Sequence, residues 1–107
     1  MTQSKLSFRP RIGITLGDPA GIGPEIARKA ASCQKITQVC EPVLYGSAEF
    51  ADEFVGRESA EAGMSSYKAV ENAVRDALDG VIDGMATAPI SKSAWALAGL
   101  PWRGHTE

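Results

Sequence analysis

The chain has 107 residues, 44% of them hydrophobic, and a net charge of -2 from 11 basic and 13 acidic residues with neither sign in a long block; this is the profile of one small globular domain with no room for a two-domain cleft and no charge signature for nucleic acid or a membrane surface. No stretch nears the ~18 apolar residues of a spanning helix, and the first ten residues lack the apolar core of a signal peptide, so the expected location is cytoplasmic. Cys33 and Cys40 match no CxxC spacing and are expected as reduced, structural thiols.

Residues 1–10 are polar and expected to be a flexible terminus, with one α/β domain over residues 11–107. Residues 11–16 alternate with Ile12, Ile14 and Leu16 on one side, the period-two pattern of a strand. The loop Gly17-Asp18-Pro19-Ala20-Gly21-Ile22-Gly23-Pro24-Glu25 follows. Pro24 can occupy the first helical position, where its missing N–H costs nothing, and Glu25 sets negative charge against the positive end of the dipole. The alanine-rich run to Ser32 continues that helix.

Pro42-Val43-Leu44-Tyr45 before Gly46 reads as a second strand, and strand–helix–strand order implies a right-handed parallel crossover. Ser47 is expected to cap a helix to about Val55, stopped by Gly56. A longer helix is predicted from the spacing of Tyr67, Val70, Val74, Ala77 and Leu78, ending near Gly80. Met85-Ala86-Thr87 forms a third candidate strand leading into an Ala88-Pro89 bend. Ser91 or Ser93 then caps a short helix through Ala98, closed by Gly99 and Pro101, and residues 102–107 read as a loop. The pattern is α/β with parallel strands whose C-terminal ends carry the informative loops.

Chemistry concentrates in three places. The glycine loop before a helix can present backbone N–H groups to an anion, or its glycines can simply let helix and strand pack closely. It is neither a Walker A loop, lacking Gly-Lys-Ser/Thr, nor the usual dinucleotide fingerprint, since its glycines stand at 17, 21 and 23. Asp18 within it either bonds a ligand hydroxyl or caps the turn. Thr87-Ala88-Pro89-Ile90-Ser91-Lys92 sets a lysine and two hydroxyls past a strand end, which suits phosphate or carboxylate and equally suits a capped helix with a solvated lysine. Gly104-His105-Thr106-Glu107 holds the chain's one histidine, which by itself is no metal site, because a zinc-like centre needs three or four ligands. Trp95 and Trp102 read as core or interface anchors.

Together these segments carry a resemblance. The ordered set Gly-Asp-Pro-Ala-Gly-Ile-Gly-Pro-Glu, Thr-Ala-Pro-Ile-Ser-Lys and Ala-Gly-Leu-Pro-Trp-Arg-Gly-His-Thr-Glu, with Ser59-Ala60-Glu61-Ala62-Gly63 ahead of the long helix, resembles the 4-hydroxythreonine-4-phosphate dehydrogenase family of vitamin B6 biosynthesis. The resemblance implies a parallel-sheet fragment of the isocitrate/isopropylmalate dehydrogenase-like fold, the N-terminal lobe only. It implies homodimers, NAD(P) and a divalent metal (Zn, Mg or Co), and oxidation of a phosphorylated hydroxy acid followed by decarboxylation. It also implies substrate binding by His105 and Thr106, with Lys92, Thr87 and Asp18 near the same cleft.

Family members are longer, and the histidines that bind metal in them, with most cofactor-binding residues, fall beyond the segment resembled here. Between Phe54 and Ser59 the chain skips a stretch that the family fills. The isolated chain is therefore expected to lack turnover, since half a cleft cannot hold a nicotinamide ring against the carbinol carbon. Two other readings stand beside the enzymatic one. One is a noncatalytic remnant or anion-binding module, with its pocket at the glycine loop and Lys92. The other is an interaction protein with an apolar face to which Trp95, Leu100 and Trp102 contribute.

Overall fold

The computed structural model describes residues 8–46 and 59–101. The helix expected from Ser47, and the calls on Trp102, His105 and Thr106, fall outside the described residues. Three parallel strands form one sheet: β1 (Arg11–Thr15), β2 (Glu41–Tyr45) and β3 (Gly84–Thr87), in the order β2-β1-β3. Arg11 pairs with Glu41 and Thr15 with Tyr45 on one side of β1; Ile12 pairs with Gly84 and Thr15 with Thr87 on the other. The parallel α/β reading of the sequence is borne out.

Four helices accompany the sheet: α1 (Gly23–Ser32), α2 (Gln34–Thr37), α3 (Ala60–Leu78) and α4 (Lys92–Leu97). α3 touches all three strands, whereas α1 touches β1 and β2 and does not touch α3. A helix spread over β1 and β2 on α3's side would collide with it, so α1 and α3 lie on opposite faces. That is what right-handed crossovers require, since β1→β2 and β2→β3 run across the sheet in opposite directions. Among the described residues no helix is long and apolar enough to cross a membrane.

Two details depart from the pattern read in the sequence. The period-two alternation of β1 suggests Ile12 and Ile14 as its core side, yet Gly13 and Thr15, facing α3, are the deeper residues. Gly13 is small because the Tyr45 ring and the tip of Ile82 occupy its side-chain space: a Cβ there would stand 2.9 Å from Tyr45 Cε1 and 2.7 Å from Ile82 Cδ1. The Tyr45 hydroxyl then donates to Asp76 Oδ2 on α3 at 2.6 Å. That bond, with burial and the Asp76 charge adding to it and Arg11 opposing, pushes the phenol up to about 12.

The second departure concerns α3. It starts earlier than its apolar spacing implies: Ser59 is its N-cap, accepting from the Ala62 amide at 3.1 Å, so residues 60–63 form the first turn rather than precede the helix. Its buried stripe is Ala62, Gly63, Ser66, Ala69 and Ala73, while Val74 is 42% and Leu78 82% exposed. Small residues win the inner face because α4 approaches closely there. A Cβ on Gly63 would run into the Ala94 carbonyl and stand 2.9 Å from Trp95 N.

Trp95 is buried by that approach, its Nε1–H donating to Ser66 Oγ at 2.7 Å and its ring set edge-on to Tyr67 at 5.8 Å. This corrects the expectation of Trp95 on an exposed apolar face and settles it as a core anchor. α2 has no sequence signal, being a single turn without a side-chain N-cap. Its far end is held by Arg9 Nη2, which donates to the carbonyls of Thr37 at 2.6 Å and Cys40 at 2.9 Å. Cys33 and Cys40 are both free thiols.

Candidate functional site

The glycine loop and the Thr87–Lys92 segment, far apart in sequence, meet at the C-terminal ends of adjacent strands. The Leu16 amide donates to Tyr45 O at 2.8 Å and the Ala88 amide to Thr15 O at 3.0 Å, so both loops leave the sheet under ladder control. The Asp18 amide then donates to Pro89 O at 3.0 Å, tying one loop to the other. Gly17 makes this approach possible: its φ is 75°, a left-handed conformation, and a Cβ on it would overlap the Pro89 carbonyl. Gly23 has the same office at the helix entrance, where a Cβ would overlap the Leu16 carbonyl and stand 3.3 Å from Ala88 Cβ.

Asp18 is only 6% exposed. One carboxylate oxygen, Oδ1, accepts from the Ala20 amide at 2.7 Å, and its carbonyl accepts from Gly21 N at 3.0 Å. This is the turn-capping alternative for Asp18 in physical form, and it fixes the loop ahead of α1. The helix begins without a side-chain cap, Ile22 standing at the N-cap position and Pro24 in the first turn. The Ile26 amide is the first to find an acceptor, on Ile22 O at 3.1 Å; those of Gly23 and Glu25 have none among the described residues. An uncapped helix start of this kind favours negative charge.

Thr87 ends β3 and is exposed. Ser91, rather than Ser93, caps α4, its Oγ accepting from the Ala94 amide at 3.0 Å. Lys92 is the first residue of α4 and is exposed. The structure thus brings Asp18 and the Thr87–Lys92 segment to one end of the sheet, and His105 and Thr106 lie outside the described residues. Among those residues no three His, Cys, Asp or Glu side chains gather where a metal could sit.

One residue at this end escaped the sequence reading. Thr15, last in β1, is fully buried, and its hydroxyl has no hydrogen-bond partner among the described residues. The available signal was a hydroxyl on the inner face of a central strand, where an aliphatic side chain would otherwise be expected.

A family model described as pyridoxal phosphate biosynthetic protein PdxA matches residues 16–107. The 4-hydroxythreonine-4-phosphate dehydrogenase of Synechococcus sp. (strain JA-3-3Ab) is 37% identical over 131 residues, spanning 92% of this chain and 38% of its own. The D-threonate 4-phosphate dehydrogenase of Bordetella bronchiseptica (strain ATCC BAA-588 / NCTC 13252 / RB50) is 32% identical over 149 residues, spanning 100% of this chain and 42% of its own. That match runs longer than the 107 residues of this chain, so the relative carries residues inside the matched span that this chain lacks. The crystal structure of a 4-hydroxythreonine-4-phosphate dehydrogenase from Burkholderia phymatum superposes with a TM-score of 0.87 at 27% identity, covering 94% of this chain and 42% of that one.

The chain spans about two fifths of the length of the curated relatives it matches. Motifs, family model and fold agree: the chain belongs to the family of the pyridoxal phosphate biosynthetic protein PdxA.

Proposed function

We propose that this chain forms one wall of the substrate site of an oxidoreductase acting on a phosphorylated hydroxy acid in pyridoxal phosphate biosynthesis. The observation that carries the reading is the junction of the two loops, with Asp18 N–H on Pro89 O at 3.0 Å, in a chain whose relatives are named as 4-hydroxythreonine-4-phosphate and D-threonate 4-phosphate dehydrogenases. The substrate is 4-hydroxythreonine 4-phosphate or a close analogue. Its anionic groups meet the uncapped start of α1 and the Lys92 ammonium, both able to favour negative charge. Asp18 holds the loop in shape, Thr87 offers a hydroxyl, and His105 and Thr106 contact substrate as the family resemblance implies.

NAD(P) as hydride acceptor, a divalent metal, the ensuing decarboxylation, the isocitrate/isopropylmalate dehydrogenase-like architecture, a homodimer and a cytoplasmic setting belong to the same reading. A bound metal would polarise the substrate hydroxyl. The described residues offer no ligand set for it, and these 107 residues alone are expected to bind substrate without turning it over.

Calorimetric titration with 4-hydroxythreonine 4-phosphate, with and without a divalent metal, tests the proposal. Binding is expected in both cases and is weakened about tenfold by Lys92→Ala, the loss of one charge-assisted contact. Absence of binding, or affinity indifferent to Lys92→Ala, overturns it. A second reading, a noncatalytic anion-binding module, is favoured by the uncapped start of α1. It predicts equal affinity for inorganic phosphate and for the phosphorylated hydroxy acid.

A further inference from the structure

Lys92, the cation of the proposed substrate site, stands at the start of a helix with a narrow foothold. Among the described elements α4 touches α3 and no other, whereas α3 rests on all three strands. The Thr87–Lys92 segment is tied to the glycine loop at Pro89, through the Asp18 amide. Beyond that tie, the seating of α4 on α3 is what places Lys92 relative to the loop.

Gly63 sets the distance of that seating, since a Cβ on it would run into the Ala94 carbonyl. Its orientation comes from a polar contact inside the α3–α4 core. Ser66 is 1% and Trp95 2% exposed. Ser66 Oγ–H donates to the Gly63 carbonyl at 2.9 Å, and the same oxygen accepts from Trp95 Nε1–H at 2.7 Å. An indole N–H can only donate, so a buried one needs an acceptor at one place and in one direction. Ser66 supplies it, on a helix that the sheet holds in place.

The route from Trp95 to Lys92 is short. The Trp95 amide donates to the Ser91 carbonyl at 3.0 Å, immediately before Lys92, and Trp95 follows Lys92 by three residues, close to one helical turn. In a helix of six residues a shift at Trp95 is a shift at Lys92.

We propose that Ser66 is a positioning residue of the substrate site: by holding the Trp95 indole it sets where the Lys92 ammonium meets the anionic end of a phosphorylated hydroxy acid. Ser66 has this role only if Lys92 binds substrate as proposed above, so the test takes one readout with ligand and one without it.

Calorimetric titration with 4-hydroxythreonine 4-phosphate gives the first. Ser66→Ala leaves a buried N–H unpaired, displaces α4, and is expected to weaken binding about fivefold with unchanged far-ultraviolet dichroism. Adding Trp95→Phe removes the orphaned donor and brings affinity back to within about twofold of the parent, because taking away both partners is nearly neutral. In a Lys92→Ala background Ser66→Ala has no further effect, which marks a residue acting through Lys92. The second readout is the amide spectrum of the ligand-free protein, in which Ser66→Ala moves residues 91–95, leaves β1 in place, and is reversed by Trp95→Phe. Affinity unchanged by Ser66→Ala but lowered by Lys92→Ala overturns the positioning role alone. So does an equal loss in the Lys92→Ala background, or a loss of fold that Trp95→Phe does not repair. Affinity indifferent to Lys92→Ala overturns the substrate reading, and the role of Ser66 with it.

Discussion

Replacing Gly17 by alanine attacks the contact on which the candidate site depends. Two costs follow from the geometry. At a φ of 75° an L-residue pays about 1–2 kcal/mol for the left-handed conformation. The new Cβ would also overlap the Pro89 carbonyl and stand 3.0 Å from the Ala88 carbonyl carbon. Relief requires the two loops to part by about an ångström, which breaks the Asp18–Pro89 bond of 3.0 Å and leaves a buried amide unpaired, at about 1–3 kcal/mol. The expected loss is about 2–5 kcal/mol, a large share of the ~5–15 kcal/mol that holds a small domain together. Urea unfolding followed by tryptophan fluorescence reads it as a lowered midpoint at constant slope. A change under about 1 kcal/mol would refute the clamp as described.

Gly63→Ala offers a test of sign. Alanine raises helix propensity by about 1 kcal/mol, but here its Cβ enters the α4 backbone, so a net loss of about 1–3 kcal/mol is expected; a thermal melt showing stabilisation would contradict the close approach. Thr15→Val should stabilise the fold by about 1–2 kcal/mol, since it removes a buried hydroxyl without a partner among the described residues; destabilisation in urea would mean that the hydroxyl is satisfied. The Tyr45 phenol, held at about 12 against an ordinary 10.0 chiefly by its bond to Asp76, keeps its proton in the folded state where the unfolded chain has lost it. Its stabilising contribution is therefore full below about pH 10 and is lost as pH rises through about 12. A phenolate absorbance titration of Tyr67→Phe, which leaves Tyr45 alone among the two tyrosines, should show this late ionisation, and an ordinary midpoint would remove the Asp76 bond.

The sequence was most readable where local chemistry decides the outcome. Pro24 and the serine pair at 91 and 93 are start signals that need no tertiary context: α1 begins one residue before Pro24, and of the two serines it is Ser91 that caps α4. It misled where packing against a distant segment decides. The stripe Tyr67, Val70, Val74 has the right period for α3, but the approach of α4 to Gly63 selects the side of small residues instead. α2 was invisible because its support comes from Arg9, 28 residues before Thr37. At the site, residue types alone left Asp18 open between ligand and turn; only the fold shows its Oδ1 on the Ala20 amide. That Gly17 faces Pro89 is a property of the β2-β1-β3 order, which no local pattern encodes.

Amide chemical-shift mapping by NMR during titration with 4-hydroxythreonine 4-phosphate tests the two-loop wall most directly. Shifts should concentrate together in residues 17–25 and residues 87–92, saturating with one affinity, and fade in Lys92→Ala. Perturbations confined to one of the two loops, or scattered over the exposed surface of α3, would contradict a common site at the C-terminal ends of β1 and β3.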